Sequence, residues 1–505
     1  MVTDELKYTI RQAFSFPPTQ EQERAIGVFA DFLTDSSQLP AVSHDSSVMI
    51  LRGAAGTGKT TLAAAIVRAM AALKQKIVLM APTGRAAKVF SLYAGRPAYT
   101  IHRRIYRQKS LESGFTLNYN AAQDTLFMVD EASMISDASS DSSLLGLHSS
   151  LLNDLLQFVY GGQRCRLLLI GDHAQLPPVG ETESPALSAD CLRGYGLRVY
   201  EATLNEVLRQ AAESGILYNA TNIRMLSRQS SGADLAGQPA ISAISDDWCG
   251  QKLKIDVGFP DVRVVPGDEL IEQLATSYSR AGHDGTIVVT RSNKRANIYN
   301  EGIRRTILDC EDELCRGDRL MVVKNNYSVL PPSPQSKGEG GETSAMDFIA
   351  NGDIAVVRRF RHVHEQHGFR FAEVTLSFPD YDDYELTATV LLDTLTSEAP
   401  ALTREQQQQL YERVLADYAD IPRKDERMKK VKEDRYYNAL QVKFAYAVTC
   451  HKAQGGQWAH VYVDQGYMTA DMMTPEYYHW LYTAFTRATE QLYLVNWPQA
   501  FLKTP

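Results

Sequence analysis

Short, largely apolar runs recur along the chain: Val48 to Leu51, Ile77 to Met80, Leu126 to Val129 and Arg166 to Ile170, and later Val262 to Val265, Thr286 to Thr290, Val442 to Val448 and Leu492 to Val495. Runs apolar on both faces read as buried parallel strands, because a half-solvated strand would alternate. Stretches of helical spacing lie between them. Phe16-Pro17-Pro18 is a rigid lead, Thr19 an N-cap, and Ala25, Ile26, Phe29 and Phe32-Leu33 form one apolar stripe. Leu144 to Tyr160 is a long apolar-periodic helix stopped by Gly161-Gly162. The pattern changes in FIANGDIAVVRRF and FRFAEVTLSF, which alternate like β-strands around a turn at Glu365 to Gly368. Leu402 to Ala419 is helical, and Ile421 to Arg435 is a charge run that reads as a solvated helix face. Asp35 to Ser47, Ser227 to Gln251 and Pro331 to Thr343 read as loops or linkers. The class is α/β, with parallel sheets.

Length and composition change this picture little. A chain of 505 residues is too long for one core and predicts about three or four compact units. No apolar run approaches the roughly 18–20 residues that span a bilayer. The start, MVTDELKYTIRQAF, lacks the apolar core of a secretion signal, and six cysteines are scattered without metal-ligand spacing. A reduced cytoplasmic location is expected, with no membrane partner. The net charge of −8 argues against an overall basic surface but leaves room for a local basic channel.

The chemistry is concentrated at turns that follow the apolar runs. Gly53-Ala54-Ala55-Gly56-Thr57-Gly58-Lys59-Thr60-Thr61 has the full phosphate-cradle spacing between a strand and a helix. Glycines let backbone N–H groups converge on phosphate oxygens, and the new helix aims its positive dipole end at the same point. Lys59 is placed for the outer phosphates and the Thr60 hydroxyl for Mg²⁺. Gln22 sits one polar loop ahead of this site, where a carboxamide can read an adenine edge. Asp130 and Glu131 close the strand Leu126 to Val129. Asp130 is expected to hold Mg²⁺, and Glu131 to polarise the attacking water. Gln175, in a turn stiffened by Pro177-Pro178, can hydrogen-bond both that water and the γ-phosphate, and Arg209 can reach a phosphate. The turn after Ile77 to Met80 presents Thr83, Arg85 and Lys88 at the carboxyl edge of the sheet, where open α/β sheets bind ligands. AYTIHRRIYRQK mixes His102 and arginines with tyrosines, a composition suited to a nucleic-acid backbone and stacked bases.

Taken in order, GAAGTGKTT, APTGRAAK, TIHRRIY, VDEASM, GDHAQLPPV and LNEVLRQ resemble a superfamily 1 helicase of the 5′-to-3′, RecD-like and Dda-like branch. The later motifs fit the same resemblance: VVTRSNKRANIYN with Asn293 and Asn300, TCHKAQGGQW with His451 and Lys452, and LYTAFTRAT with Arg487. The resemblance spans roughly Pro18 to Val495. It implies two RecA-like P-loop domains with parallel sheets, and a small β-barrel-type insertion in the second. Residues 1–210 would form the N-terminal domain, with a small insertion around 92–124. Residues 211–260 would be a linker or surface excursion, 261–330 with 441–505 the second domain, and 331–440 the inserted β-rich subdomain with a helical, charged tail. It further implies ATP and Mg²⁺ in the cleft between the domains, with Arg487 as the arginine finger. Thr83, Arg85 and His102 on one domain and Asn293, His451 and Lys452 on the other would grip a strand. The expected activity is ATP-dependent translocation on single-stranded DNA and unwinding at duplex junctions, alongside replication or repair proteins. An RNA-directed helicase of the same superfamily and a non-translocating P-loop ATPase are the competing readings.

Overall fold

The computed structural model describes residues 2–14, 16–34, 46–108, 115–138, 150–207, 213–230, 253–326, 328–329, 349–469 and 472–503. Two parallel sheets and one closed barrel organise them, and both sheets are RecA-like in layout.

The first sheet has the order Ala98–Thr100, Lys76–Ala81, Thr125–Val129, Arg166–Gly171, Ser47–Gly53, Arg198–Leu204, parallel throughout. Its inner strands are buried on both faces, which accounts for their unbroken apolar runs. One face packs on Phe29, Ile66 and Phe90 of the helices Gln20–Thr34, Lys59–Ala72 and Gly84–Ala94. The other packs on Ile101, Leu155 and Phe158. The alanines of Lys59–Ala72 let that helix lie close against the sheet, fixing where its N-terminus points. A two-stranded hairpin, Tyr106–Gln108 with Phe115–Leu117, projects from this unit inside the expected 92–124 insertion. The described part of the long helix is Leu151–Tyr160; residues 144–149 lie outside the described residues.

The second sheet has the order Ala447–Thr449, Thr286–Thr290, Trp458–Asp464, Ala488–Val495, Val262–Val265, again parallel. The barrel is closed by Arg319–Val322, Ile354–Gln366, Phe369–Phe378, Tyr384–Leu391 and Leu440–Phe444. The alternating stretches therefore form the barrel wall, with the turn at His367-Gly368 inside the predicted range. Two closing strands, however, come from outside 331–440.

Two expectations need correction. Val442 to Val448, read as one strand, is two: Leu440–Phe444 belongs to the barrel and Ala447–Thr449 to the sheet. The break is held by Asn300, whose buried carboxamide accepts from Tyr446 N (3.1 Å) and Ala447 N (2.7 Å) and donates to Phe444 O (3.3 Å) and Ala447 O (2.9 Å). Within the expected linker, Gly215–Ser230 is a helix. Its Ile216, Ala220, Ile223 and Leu226 pack in the same core as Trp458 and Tyr482. Its apolar spacing lies under a polar composition, which is what obscures it in the sequence. Residues 231–252 lie outside the described residues. Among the described residues no helix is long and apolar enough to cross a membrane.

Candidate nucleotide cleft and strand path

The phosphate loop joins Ser47–Gly53 to Lys59–Ala72 through Gly56 (φ 74°) and Gly58 (φ 80°), left-handed positions where glycine is the unstrained residue. Gly53 is required for space: a Cβ there would lie 2.5 Å from Lys59 Cγ and 2.8 Å from Thr57 Oγ1. Lys59 Nζ is folded onto Gly53 O and Ala54 O, the latter at 3.2 Å, so the ammonium sits over the loop it is expected to share with phosphates. Thr60 and Thr61, in the first turn, are exposed. Gln22 is buried against the loop, donating to Thr57 O at 3.4 Å, while its Oε1 accepts from Thr19 N at 2.9 Å. Its carboxamide is thereby held in a capping arrangement at the loop's edge.

Asp130 and Glu131 follow the strand Thr125–Val129, Glu131 in left-handed conformation (φ 51°). Asp130 Oδ1 accepts from Glu131 N at 2.8 Å, and Oδ2 accepts from Tyr93 OH, on the helix Gly84–Ala94. Burial raises both carboxyls above the ordinary range; Tyr93 and Lys59 act against this at Asp130, and Arg487 does so at Glu131. A carboxylate with lone pairs left beyond its two protein bonds, together with an exposed threonine hydroxyl, is a hard-oxygen donor set that fits Mg²⁺.

The second unit closes this site. The helix Pro475–Phe485 crosses the cleft, and its buried Tyr482 OH accepts from Ala55 N (2.8 Å) and donates to Asp172 Oδ2 (2.5 Å). Asp172 Oδ1 accepts from Ala174 N at 3.0 Å, shaping the turn that carries Gln175. Around the same turn, Leu176 N donates to Thr483 Oγ1 (2.8 Å) and Gln454 Nε2 to Leu176 O (2.7 Å). Gln175 is buried with its Oε1 unpartnered, an acceptor held inside the cleft. Arg487 follows that helix. Its buried guanidinium donates to Thr483 O (3.1 Å), Gly456 O (3.1 Å) and Thr486 Oγ1 (3.3 Å). Arg209 lies outside the described residues.

The expected strand contacts divide into two groups. Thr83 caps Gly84–Ala94, accepting from Ala86 N at 3.2 Å, and faces Gly455 across the units. Asn293 opens the helix Asn293–Thr306, and its one described bond is to Glu398 O at 3.1 Å. His451 and Lys452 lie on the short helix Cys450–Ala453, where Lys452 donates to Asn351 and burial draws its pKa down to about 8. Arg85 sits differently: its guanidinium lies 4.1 Å from the centroid of Trp458 and donates to Gln457 O at 2.9 Å, a cross-unit packing contact. His102 is half-buried, packs 5.5 Å from the Tyr106 ring, and burial lowers its pKa to about 4. Sequence reasoning missed Tyr93 and Tyr482. The available signal was general: a buried tyrosine hydroxyl needs a partner.

Residues 35–231 match the family model described as an AAA domain, and residues 444–495 the UvrD-like helicase C-terminal domain. The chain is 34% identical over 174 residues to the ATP-dependent RecD2 DNA helicase of Deinococcus radiodurans, covering 34% of this chain and 21% of that protein. It is 28% identical over 192 residues to the ATP-dependent DNA helicase dda of Enterobacteria phage T4, covering 37% and 40%. In both, the match spans well under two thirds of the relative. A solved structure of two coordinating Pif1 helicases on forked double-stranded DNA aligns over 97% of this chain and 95% of that one, at 14% identity and a TM-score of 0.45.

Proposed function

We infer that this chain, a member of superfamily 1 of the helicases in its RecD-like and Dda-like branch, is an ATP-dependent DNA helicase that moves 5′ to 3′ on single-stranded DNA. One observation carries the reading: the phosphate loop of one parallel-sheet unit and the helix of the other that leads into Arg487 meet across a cleft, joined at Ala55 N and Tyr482 OH. ATP is the substrate there, with Lys59 and the loop amides on its phosphates, Asp130 and Thr60 on Mg²⁺, and Glu131 and Gln175 at the attacking water. Mg²⁺ would neutralise charge on the phosphate oxygens. Arg487 gains a charge-assisted bond to the outer phosphate by leaving its carbonyls and reaching across, so nucleotide favours the closed cleft. Loss of that phosphate reopens it, and strand contacts at Thr83, Asn293, His451 and Lys452 alternate their grip. The division into 1–210, 261–330 with 441–505, and an inserted 331–440 belongs to the same proposal, with the barrel taking its closing strands from the flanking segments. So do a cytoplasmic location and work beside replication or repair proteins.

The test is ATP hydrolysis with and without single-stranded DNA, then displacement of 5′- and 3′-tailed duplexes. Stimulation by DNA and displacement of the 5′-tailed duplex are expected, and both should vanish in Lys59→Ala. Equal or greater stimulation by RNA of the same length would move the reading to an RNA helicase. No stimulation by either would leave a non-translocating ATPase.

A further inference from the structure

Tyr482 is placed as more than packing. Its hydroxyl has one proton and two partners from separate motifs of the opposite unit: it accepts from the phosphate-loop amide of Ala55 and donates to Asp172. Its side chain is fully buried, so no water competes for these bonds. The Ala55 N–H meets the second unit at Tyr482, five residues before Arg487. An amide engaged by Tyr482 is not available to a phosphate.

We propose that Tyr482 is a nucleotide-sensing latch, and thus a positioning residue for the cleft: its hydroxyl caps Ala55 N–H, and the outermost phosphate of ATP competes with it for that amide. The proposal rests on the ATPase reading given above. Displacement acts at two places. Tyr482 lies in the last helical turn before Arg487, and the guanidinium is held by Thr483 O and Thr486 Oγ1 from that same turn, so movement at Tyr482 loosens the arginine's resting contacts. Asp172 loses its donor, and with it the fixed geometry of the turn whose Ala174 N it accepts, the turn that carries Gln175. One hydroxyl thereby ties the occupancy of the phosphate loop to the arginine and to the water-contacting glutamine. Arg228 and Arg224 also lie near Asp172 and His173, but neither bridges the loop.

The test is the equilibrium affinity of Tyr482→Phe for a non-hydrolysable ATP analogue and for ADP, by titration of the full chain, with single-stranded DNA stimulation of hydrolysis measured alongside. A latch that competes with the outermost phosphate predicts roughly 2–10-fold tighter analogue binding, the equivalent of one net hydrogen bond, with ADP affinity unchanged. It also predicts a smaller DNA stimulation ratio, because less of the closing depends on the strand. Asp172→Asn, which weakens the acceptor and keeps its shape, should shift affinity in the same direction, and the double variant should equal the larger single effect rather than the sum. Unchanged or weaker analogue binding, an equal gain for ADP, or additive effects would each overturn the latch. If the unsubstituted chain shows no DNA stimulation, the helicase reading fails while the affinity comparison still decides the latch.

Discussion

Two asparagines on one helix, Asn293 and Asn300, belong to the same motif, yet their surroundings differ sharply. Replacing Asn300 by alanine removes a carboxamide that serves two backbone amides and two carbonyls where the barrel strand ends and the sheet strand begins. Three of those bonds are within 3.1 Å, and the side chain is 2% exposed, so water has no path to replace it. Each buried backbone group left without a partner costs about 1–3 kcal/mol, and with two amides orphaned a local loss of about 3 kcal/mol is a conservative figure. That is more than a hundredfold in a local opening equilibrium. Global melts mix several units, so the suitable assay is amide hydrogen exchange on the peptide covering Phe444 to Thr449, read in Asn300→Ala and Asn293→Ala. Asn300→Ala should speed exchange there by about two orders of magnitude. Asn293→Ala, which loses one exposed bond, should leave it unchanged but weaken single-stranded DNA binding. If Asn300→Ala exchanges within threefold of the parent, the clasp has been misjudged; if Asn293→Ala leaves strand affinity intact, that residue is no strand contact.

Gly53→Ala should abolish ATP binding in a titration, because the new Cβ meets Lys59 Cγ at 2.5 Å and drives the lysine stem off its course. Arg487→Ala should bind ATP within a few-fold of the parent yet hydrolyse it at least about 10³-fold more slowly, as expected for a finger that acts on the transferred phosphate. Asp353, beside the contact between barrel and first unit, is raised by burial to about 7, so the folded chain takes up its proton near pH 7 and the unfolded chain only near pH 4. That group's contribution to stability is complete below about pH 4 and is lost as pH rises through 7. Asp353→Asn, neutral throughout, should therefore gain on the parent by up to about 1.4 kcal/mol per pH unit between pH 4 and 7. Amide exchange of the peptide holding residue 353, compared between variant and parent at each pH, would show it, and a pH-independent difference would refute it.

What could be read from residues alone was set by the backbone. The phosphate loop is a pattern of glycines and a lysine between a strand and a helix, and every part of that pattern is local. Asp130 and Glu131 were equally legible, because a strand end fixes where adjacent carboxylates point. Arg85 was not. Its partner Trp458 comes from the other unit, and an arginine at a turn looks the same whether it faces a strand of nucleic acid or an indole. Tyr482 binds an amide 427 residues away, a pairing no window of sequence contains. The split of Val442 to Val448 was hidden for a further reason: both halves are apolar, and only the asparagine on a distant helix marks the break.

The barrel's closure bears on how this architecture could be cut and recombined. Its outermost strands, Arg319–Val322 and Leu440–Phe444, pair with each other at Leu320 and Phe444, so the chain enters and leaves the barrel at adjacent points. A portable module therefore runs from strand to strand, 319–444, with ends close enough to be bridged by a short loop. Excision at the compositional boundaries, 331 and 440, would leave both of these strands behind and expose unpaired backbone on the three strands removed. The natural graft point is the Asn300 clasp, where one folding unit hands the chain to the next.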